Sequence, residues 1–297
     1  MTVFIASSDR YLEKIAEDKY IRDACIGSGF DARIATLSSI TTLAKAGDVV
    51  VLKSIWGFHK DRKTFLEQLE LLQSNGVFLV NDYHYIYWNL DKVEYLSEIA
   101  SQLPTIPTIP LALGPERTDA QISSAIDLAR SSLAVDELVI KPRISESGYL
   151  TYYQRKGLPE EKLIIGLQQN KDFNFLAQPF RSSFIDGELS VIALNGSCLY
   201  GIRRFPGVFA EKSEPMYVPL GDIPEALVES IASLFTYFQQ RVTFLPAICR
   251  IDFLEVGTEY EVLEVELIDP DLFLRHVPED IRHTTLTIIS QFFYEYV

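Results

Sequence analysis

The chain has 297 residues, 47% of them hydrophobic, enough for a sizeable core and two or three structural units. Its net charge of −14 argues against a nucleic acid or an anionic membrane as partner, and no apolar run approaches the roughly 18 residues of a membrane span. The start, Met1 to Arg10, lacks the basic and apolar segments of a signal peptide. The three cysteines (Cys25, Cys198, Cys249) are scattered and the four histidines show no ligand spacing, so a cytoplasmic protein with reduced thiols is expected.

The first eighty-odd residues alternate strand and helix. Strands are expected at Val3–Ala6, Ala32–Leu37, Asp48–Leu52 and Val77–Asn81, and helices at about Tyr11–Ile26 and Lys60–Ser74. That alternation predicts a parallel, Rossmann-like sheet. The Gly27-Ser-Gly29 pair follows a helix and lacks a third glycine, so it reads as a helix C-cap and not a dinucleotide loop. A helix opens at Asn89-Leu-Asp-Lys92, capped by Asn89 or Asp91, and runs to about Ala100. Leu103 to Pro110 is an extended, proline-punctuated linker. Thr118-Asp-Ala-Gln121 is a capping box before a helix to about Ser132. A strand at Glu137–Pro142 holds Lys141. A polar loop from Ser145 to Gly148, a strand near Tyr149–Tyr153, a helix from about Pro159 and a strand at Phe173–Phe180 follow. Gly187–Leu194 and Ser197–Phe205 form a hairpin around Asn195-Gly196. Long helices are expected at about Pro224–Arg241 and Asp280–Tyr296.

Between those helices lies the stretch with the most unusual chemistry. Arg250-Ile-Asp252 and Glu264-Val-Glu266-Leu-Ile-Asp-Pro270 sit in two apolar runs joined by a loop, Gly257 to Glu259. Side chains alternate across a strand. A three-residue loop then sets Asp252 opposite Glu264, Arg250 opposite Glu266, Ile251 opposite Val265 and Phe253 opposite Leu263. One face becomes wholly apolar. The other collects Arg250, Asp252, Leu254, Val262, Glu264 and Glu266. Such a face is usually just solvated, but Glu is a poor choice inside strands rich in Val, Leu and Ile. Three crowded carboxylates repel unless a cation lies among them, and an oxygen-only set suits magnesium or manganese.

Other charged residues are also lodged in apolar strands or at helix starts: Lys92, Lys141, Glu188, Arg203 and Arg204. Cations for a polyphosphate and acids for its metal together make a set. At this point the sequence resembles the ATP-grasp superfamily, in the glutathione-synthetase-like group of carboxylate–amine ligases, the branch that contains D-cycloserine synthetase. The resemblance spans most of the chain. It rests on the order of Val50 to His59, Tyr87 to Lys92, Val139 to Pro142, Gln178-Pro-Phe180, Gly187 to Ser190 and Glu264 to Pro270.

The resemblance implies an α/β fold, α+β in its C-terminal half. Residues 1–88 would form a Rossmann-like pre-ATP-grasp domain, 89–178 a lid, and 179–297 an antiparallel catalytic domain. Lys92 and Lys141 match the lysines that bind ATP phosphates. Gln178, Pro179 and Phe180 match the segment beside adenine, and Glu188 an acid near ribose or phosphates. Ser147 belongs to the small-residue loop, Ser145 to Gly148, that closes over the phosphates; Glu146 is an unusual neighbour there. Arg203 or Arg204, and Arg250, match arginines that hold the transferring phosphoryl group. Asp252, Glu264 and Glu266 match the ligands of Mg2+ or Mn2+. Asp18 matches an acid found early in relatives, while Lys53, Ser54, Trp56 and His59 follow a strand whose carboxyl end is expected to face substrate. The expected reaction is ADP-forming: a small carboxylate, such as an amino acid, becomes an acyl phosphate and is coupled to an amine. A homo-oligomer fits this class as well. One departure stands out. Relatives carry Gly-Asp-Phe-Arg and Gly-Gly after the arginine strand, whereas this chain reads Pro206 to Pro215, with Lys212 as the candidate substitute. That gap keeps open a nucleotide-binding pseudoenzyme or a phosphotransferase.

Overall fold

The computed structural model describes residues 1–157, 161–205, 214–241 and 245–296. The first segment runs β1 (Thr2–Ser7), α1 (Ala16–Gly27), β2 (Asp31–Thr36), α2 (Leu37–Leu43), β3 (Val49–Leu52), α3 (Arg62–Ser74) and β4 (Phe78–Val80). Its four strands pair in parallel in the order β2-β1-β3-β4. The central strands, Val3 to Ala6 of β1 and all of β3, are apolar and buried on both faces because helices cover both. The first helix starts later than expected, at Ala16. The amides of Tyr11 and Leu12 are instead turned back onto the Ser8 carbonyl, leaving an irregular segment at the carboxyl end of β1.

Two short helices, α4 (Tyr83–Asn89) and α5 (Lys92–Ile99), lead to the second segment. There β5 (Ile109–Pro110), α6 (Asp119–Leu133), β6 (Glu137–Pro142), β7 (Tyr152–Arg155), α7 (Glu161–Gln169) and β8 (Phe175–Pro179) build an antiparallel sheet ordered β5-β8-β6-β7. The Thr118/Gln121 capping box opens α6 as expected. The strand expected at Tyr149–Tyr153 lies three residues later, because Tyr149 and Thr151 close turns on Glu146 and Gly148. Leu138, Ile140, Phe175 and Ala177 pack one face of this sheet onto α6 and α7. Lys141, Leu176, Val139 and Gln178, paired across β6 and β8, share the other face.

The third segment contains β9 (Glu188–Leu194), β10 (Ser197–Arg204), β11 (Met216–Pro219), α8 (Glu225–Arg241), β12 (Ile248–Val256), β13 (Glu259–Glu266) and α9 (Glu279–Phe292). Its antiparallel order is β11-β10-β9-β12-β13. One face is covered by α8 together with Tyr95, Leu96 and Ile99 of α5, burying Val191, Cys249, Ile251, Phe253, Val262 and Val265. On the other face Ile192, Ile202 and Ile248 merge with the core of the first sheet, where Val3, Ile5 and Ile21 meet Ile289 and Phe292 of α9.

Two asparagines stitch these layers together. Asn81 bonds both the carbonyl and the amide of Ile248 and the Leu267 carbonyl, and Asn89 bonds Val265 and Leu267. Asn89 therefore clamps the hairpin, and Asp91 caps α5.

Candidate active site

The β12–β13 hairpin places its acids in the expected register: Arg250 pairs with Glu266, Ile251 with Val265 and Asp252 with Glu264. Beyond Asp252 the expectation fails in one respect. The turn is two residues, Gly257-Thr258, not three, and Phe253 pairs with Val262. Gly257 takes a positive φ of 66° that its lack of a side chain permits. A bulge at Leu263 restores the register, and it moves Val262 from the polar face into the apolar core.

Carboxylate oxygens of Asp252, Glu264 and Glu266 lie within 4.8 Å of one another. Each has a cationic neighbour. Arg250 donates to Asp252 Oδ1 at 2.9 Å, to Asp252 Oδ2 at 3.0 Å and to Glu266. Arg204 donates to Asp252 Oδ2 at 2.7 Å and lies 2.8 Å from Glu188. Lys92, in the first turn of α5, lies 3.0 Å from Glu264 and donates to the Ser145 carbonyl at 2.5 Å. Burial alone would raise Asp252, but Arg204 and Arg250 outweigh it and hold the carboxyl at about 2. Glu266 goes the other way: burial, only partly offset by Arg250, pushes it up to about 7. The ammonium of Lys141 is pushed down by burial, with Glu264 opposing and Lys92 adding to the shift. Three carboxylates whose oxygens lie this close together fit a hard divalent cation, which would favour their ionised forms.

Arg203 is not part of this cluster. It pairs with Leu189, whose side chain belongs to the helix-covered face, so alternation along β10 turns Arg203 away and Arg204 toward Asp252. Of the two arginines left open by the sequence, Arg204 sits in the site; the placement of Arg203 is corrected accordingly. Phe273, to which the sequence reading gave no role, lies under both Arg204 and Arg250, with guanidinium carbons 5.5 and 5.6 Å from its ring centroid.

The second sheet supplies the facing wall. Buried Lys141 shares its sheet face with buried Gln178, which donates to Thr108 Oγ1 at 2.9 Å. Pro179 pairs with Leu138, and the Phe180 amide donates to the Glu137 carbonyl. Ser147 and Gly148 both take positive φ in the exposed tip of the adjoining loop. Glu146 of that loop reaches back to the first segment, accepting from the Gly57 amide and lying 3.2 Å from Nδ1 of buried His59. His59 stacks on Tyr149 at 4.7 Å. Lys212 lies outside the described residues.

Of the residues expected at the carboxyl end of β3, Lys53, Ser54 and Trp56 line a separate cleft with Asp18, whereas His59 lies outside it, against Glu146 and Tyr149. Lys53 is buried and ion-paired with Glu17 at 2.7 Å, and it also donates to the Pro270 carbonyl. Glu17, which the sequence reading overlooked, accepts from the amides of Leu272 and Leu274 as well. The Ser54 hydroxyl donates to Asp18 Oδ1 at 2.8 Å. Trp56 packs edge-on against Tyr11 at 4.8 Å.

No protein-family model and no curated protein matches the chain. Solved structures do. A D-cycloserine synthetase, DcsG, superposes with a TM-score of 0.80 at 17% identity, over 99% of this chain and 100% of that one. The D-alanyl-alanine synthetase A of Vibrio cholerae gives 0.67 at 15% identity, over 99% and 98%. An ATP-grasp ligase, PsnB, complexed with minimal precursor, Mg and ADP, gives 0.60 at 12% identity, over 98% of each chain. The chain therefore has the ATP-grasp fold along nearly its whole length. Among the described residues no helix is long and apolar enough to cross a membrane.

Proposed function

We propose that the protein is an ADP-forming carboxylate–amine ligase that activates a small carboxylate, an amino acid or a related metabolite, as an acyl phosphate. One observation carries this reading. Two lysines from different segments, Lys92 and Lys141, converge on Glu264 beside Asp252 and Glu266, and Lys141 shares its sheet face with Gln178. A buried cation pair facing a buried acid set suits a metal-bound polyphosphate. The resemblance to two synthetases and to a ligase holding Mg and ADP supports the same reading.

Asp252, Glu264 and Glu266 would hold Mg2+ or Mn2+, which when bound neutralises phosphate charge. Lys92 and Lys141 would then release Glu264 to bind phosphate oxygens. Gln178, Pro179 and Phe180 would border the adenine, Glu188 the ribose side, and the 145–148 loop with Ser147 the phosphates. Arg204 and Arg250, propped on Phe273, are poised to hold the γ-phosphoryl group. A substrate carboxylate oxygen attacks that phosphorus, the bond to ADP breaks, and an acyl phosphate forms. An amine nitrogen then attacks the acyl carbon, the bond to phosphate oxygen breaks, and phosphate leaves with an amide formed. The protein's part is positioning, charge neutralisation and exclusion of water. The division at residues 88 and 178, a cytoplasmic location and a substrate cleft at Asp18, Lys53 and Trp56 belong to this proposal; His59, expected with them, packs against Glu146 instead. The departure at Pro206 to Pro215 favours a second reading, a nucleotide-binding pseudoenzyme.

The decisive experiment is ADP release across a panel of amino acids, hydroxy acids and amines, with products read by mass spectrometry. ADP together with an amide product is expected. ATP binding without turnover on the whole panel points to the pseudoenzyme, and a stable phosphorylated product without amide to a phosphotransferase.

A further inference from the structure

The 145–148 loop, expected to lie over phosphates, carries an acid among its small residues. Ser147 and Gly148 are exposed at its tip, whereas Glu146 reaches the first segment. There one carboxylate oxygen accepts from the Gly57 amide and lies 3.2 Å from Nδ1 of buried His59. Gly57 offers that amide from a φ of 109°, in the left-handed region that glycine enters freely. Tyr149, just past the loop, has its ring 4.7 Å from His59 and 5.7 Å from Phe173, with Lys60 Nζ 5.3 Å from its centroid. The polar part of this contact is incompletely satisfied. Among the described residues, Glu146 Oε2 and both ring nitrogens of His59 are buried without an aligned hydrogen bond. Burial, and then Glu146, push the carboxyl of Asp269 upward, so a second acid lies close by. Unpaired buried polar groups oppose a contact, so this one is held against a cost and can give way. On either side of it the chain is engaged elsewhere. Lys92 donates to the Ser145 carbonyl at 2.5 Å while lying 3.0 Å from Glu264. Trp56, the neighbour of Gly57, lines the cleft beside Asp18 and packs edge-on against Tyr11. An unbroken set of contacts therefore runs from Lys92 through Ser145, Glu146 and Gly57 to Trp56.

We propose that Glu146 is a positioning residue: it ties the 145–148 loop to the first segment, so that nucleotide phosphate bound at Lys92 changes the setting of Trp56 in the neighbouring cleft. This rests on the nucleotide site of the ligase reading, not on which carboxylate or amine is joined. Phosphate oxygens compete with Glu264 and the Ser145 carbonyl for the Lys92 ammonium and its three donors. Drawing that ammonium away shifts Ser145 and, through the peptide bond, Glu146. The hydrogen bond to Glu146 then carries the shift to Gly57 and its neighbour Trp56. The same tether accounts for an acid in this loop. A carboxylate facing a triphosphate would repel it, and engagement by Gly57 and His59 directs the charge of Glu146 to the first segment instead. Because linked equilibria are reciprocal, a ligand that fixes Trp56 also biases the loop.

Tryptophan emission and amide hydrogen exchange of the full chain, with MgADP as the probe, test this. The chain has two tryptophans, Trp56 and Trp88, so the part of an MgADP-induced emission change that Trp56→Phe removes belongs to Trp56. That part is expected in the unaltered protein. It should be lost in Glu146→Ala, although calorimetry still records MgADP binding, and kept in Glu146→Gln, which retains an acceptor for the Gly57 amide. Without nucleotide, Glu146→Ala should speed exchange of the Gly57 amide by about tenfold or more, and Glu146→Gln by less than about threefold. A Trp56 change that persists in Glu146→Ala, or Gly57 exchange that Glu146→Ala leaves unaltered, overturns the proposal. If Glu146→Ala does not fold, Glu146→Ser, which returns the loop to small residues, takes its place with the same expectations. MgADP binding with turnover but no Trp56 change sinks this inference alone. A Trp56 change that depends on Glu146, without ADP release on any substrate, sinks the ligase reading alone, and no MgADP binding at all sinks both.

Discussion

The acids of the β12–β13 hairpin and those of the N-terminal cleft are buried to similar degrees but neutralised differently. On the hairpin, Asp252, Glu264 and Glu266 each touch Arg204, Arg250 or Lys92. In the cleft, Lys53 serves Glu17, while Asp18 and Asp269 keep an oxygen without a donor. The first region is charge-balanced as it stands, and a polyphosphate with its metal would exchange partners within it. The second has fewer cations than carboxylates. Buried ions are tolerated when paired and costly when not, so the two regions differ in what their acids cost the fold.

The comparison can be broken most sharply at the hairpin. Asp252→Asn combined with Glu264→Gln should lower ATP turnover by about 10^4-fold or more while the chain still folds, measured as ADP release, because the two changes remove two of the three carboxylates proposed to hold a divalent metal. Binding of ATP unchanged by the pair would instead favour the pseudoenzyme. Next is Lys53→Met, which leaves Glu17 buried beside two amides and no cation. A stability loss of about 3–5 kcal/mol by urea unfolding is expected, because Lys53 serves structure more than chemistry. Arg204→Ala should reduce turnover by about 10^2–10^3-fold, and Arg203→Ala by less than about threefold; the reverse order would show that the face assignment of β10 is wrong.

The smallest effect concerns pH. Asp18 has a folded value raised from 3.8 to about 6. Its ionised form disfavours the fold, so stability from this group rises as pH falls from about 6 toward 3.8. Asp18→Asn should therefore stabilise the protein at pH 7, by at most ~3 kcal/mol, and by little at pH 4. Asp252 has the opposite sign: its lowered value contributes stability above 3.8 that disappears as pH falls through about 2. A destabilising Asp18→Asn at pH 7 would mean that the cleft is not short of a cation.

Much of this was legible in the sequence. The parallel sheet followed from alternating apolar strands and helices, and the pairing of Asp252 with Glu264 and Arg250 with Glu266 followed from strand period and loop position. Single-residue details did not. The loop length was misjudged by one, and only the bulge at Leu263 kept the acids in register, sending Val262 inward. Serine- and threonine-rich α2 and aromatic α4 were not expected as helices, because burial against the first sheet's core and the hairpin core overrides weak local preference. Arg203 and Arg204 are neighbours with the same chemistry, and only the β9–β10 register says which one meets Asp252.

By itself the sequence determined which residues carry charge into apolar strands and how far apart they lie along the chain, since periodicity and turn chemistry are local properties. Tertiary structure alone decided which charges neutralise one another. Lys53 meets Glu17 and Pro270, Glu146 meets His59, and Asp269 stands between two pockets. Such partners are tens to hundreds of residues apart, and it is burial in the packed layers, not spacing along the chain, that brings them within reach and makes each missing partner count.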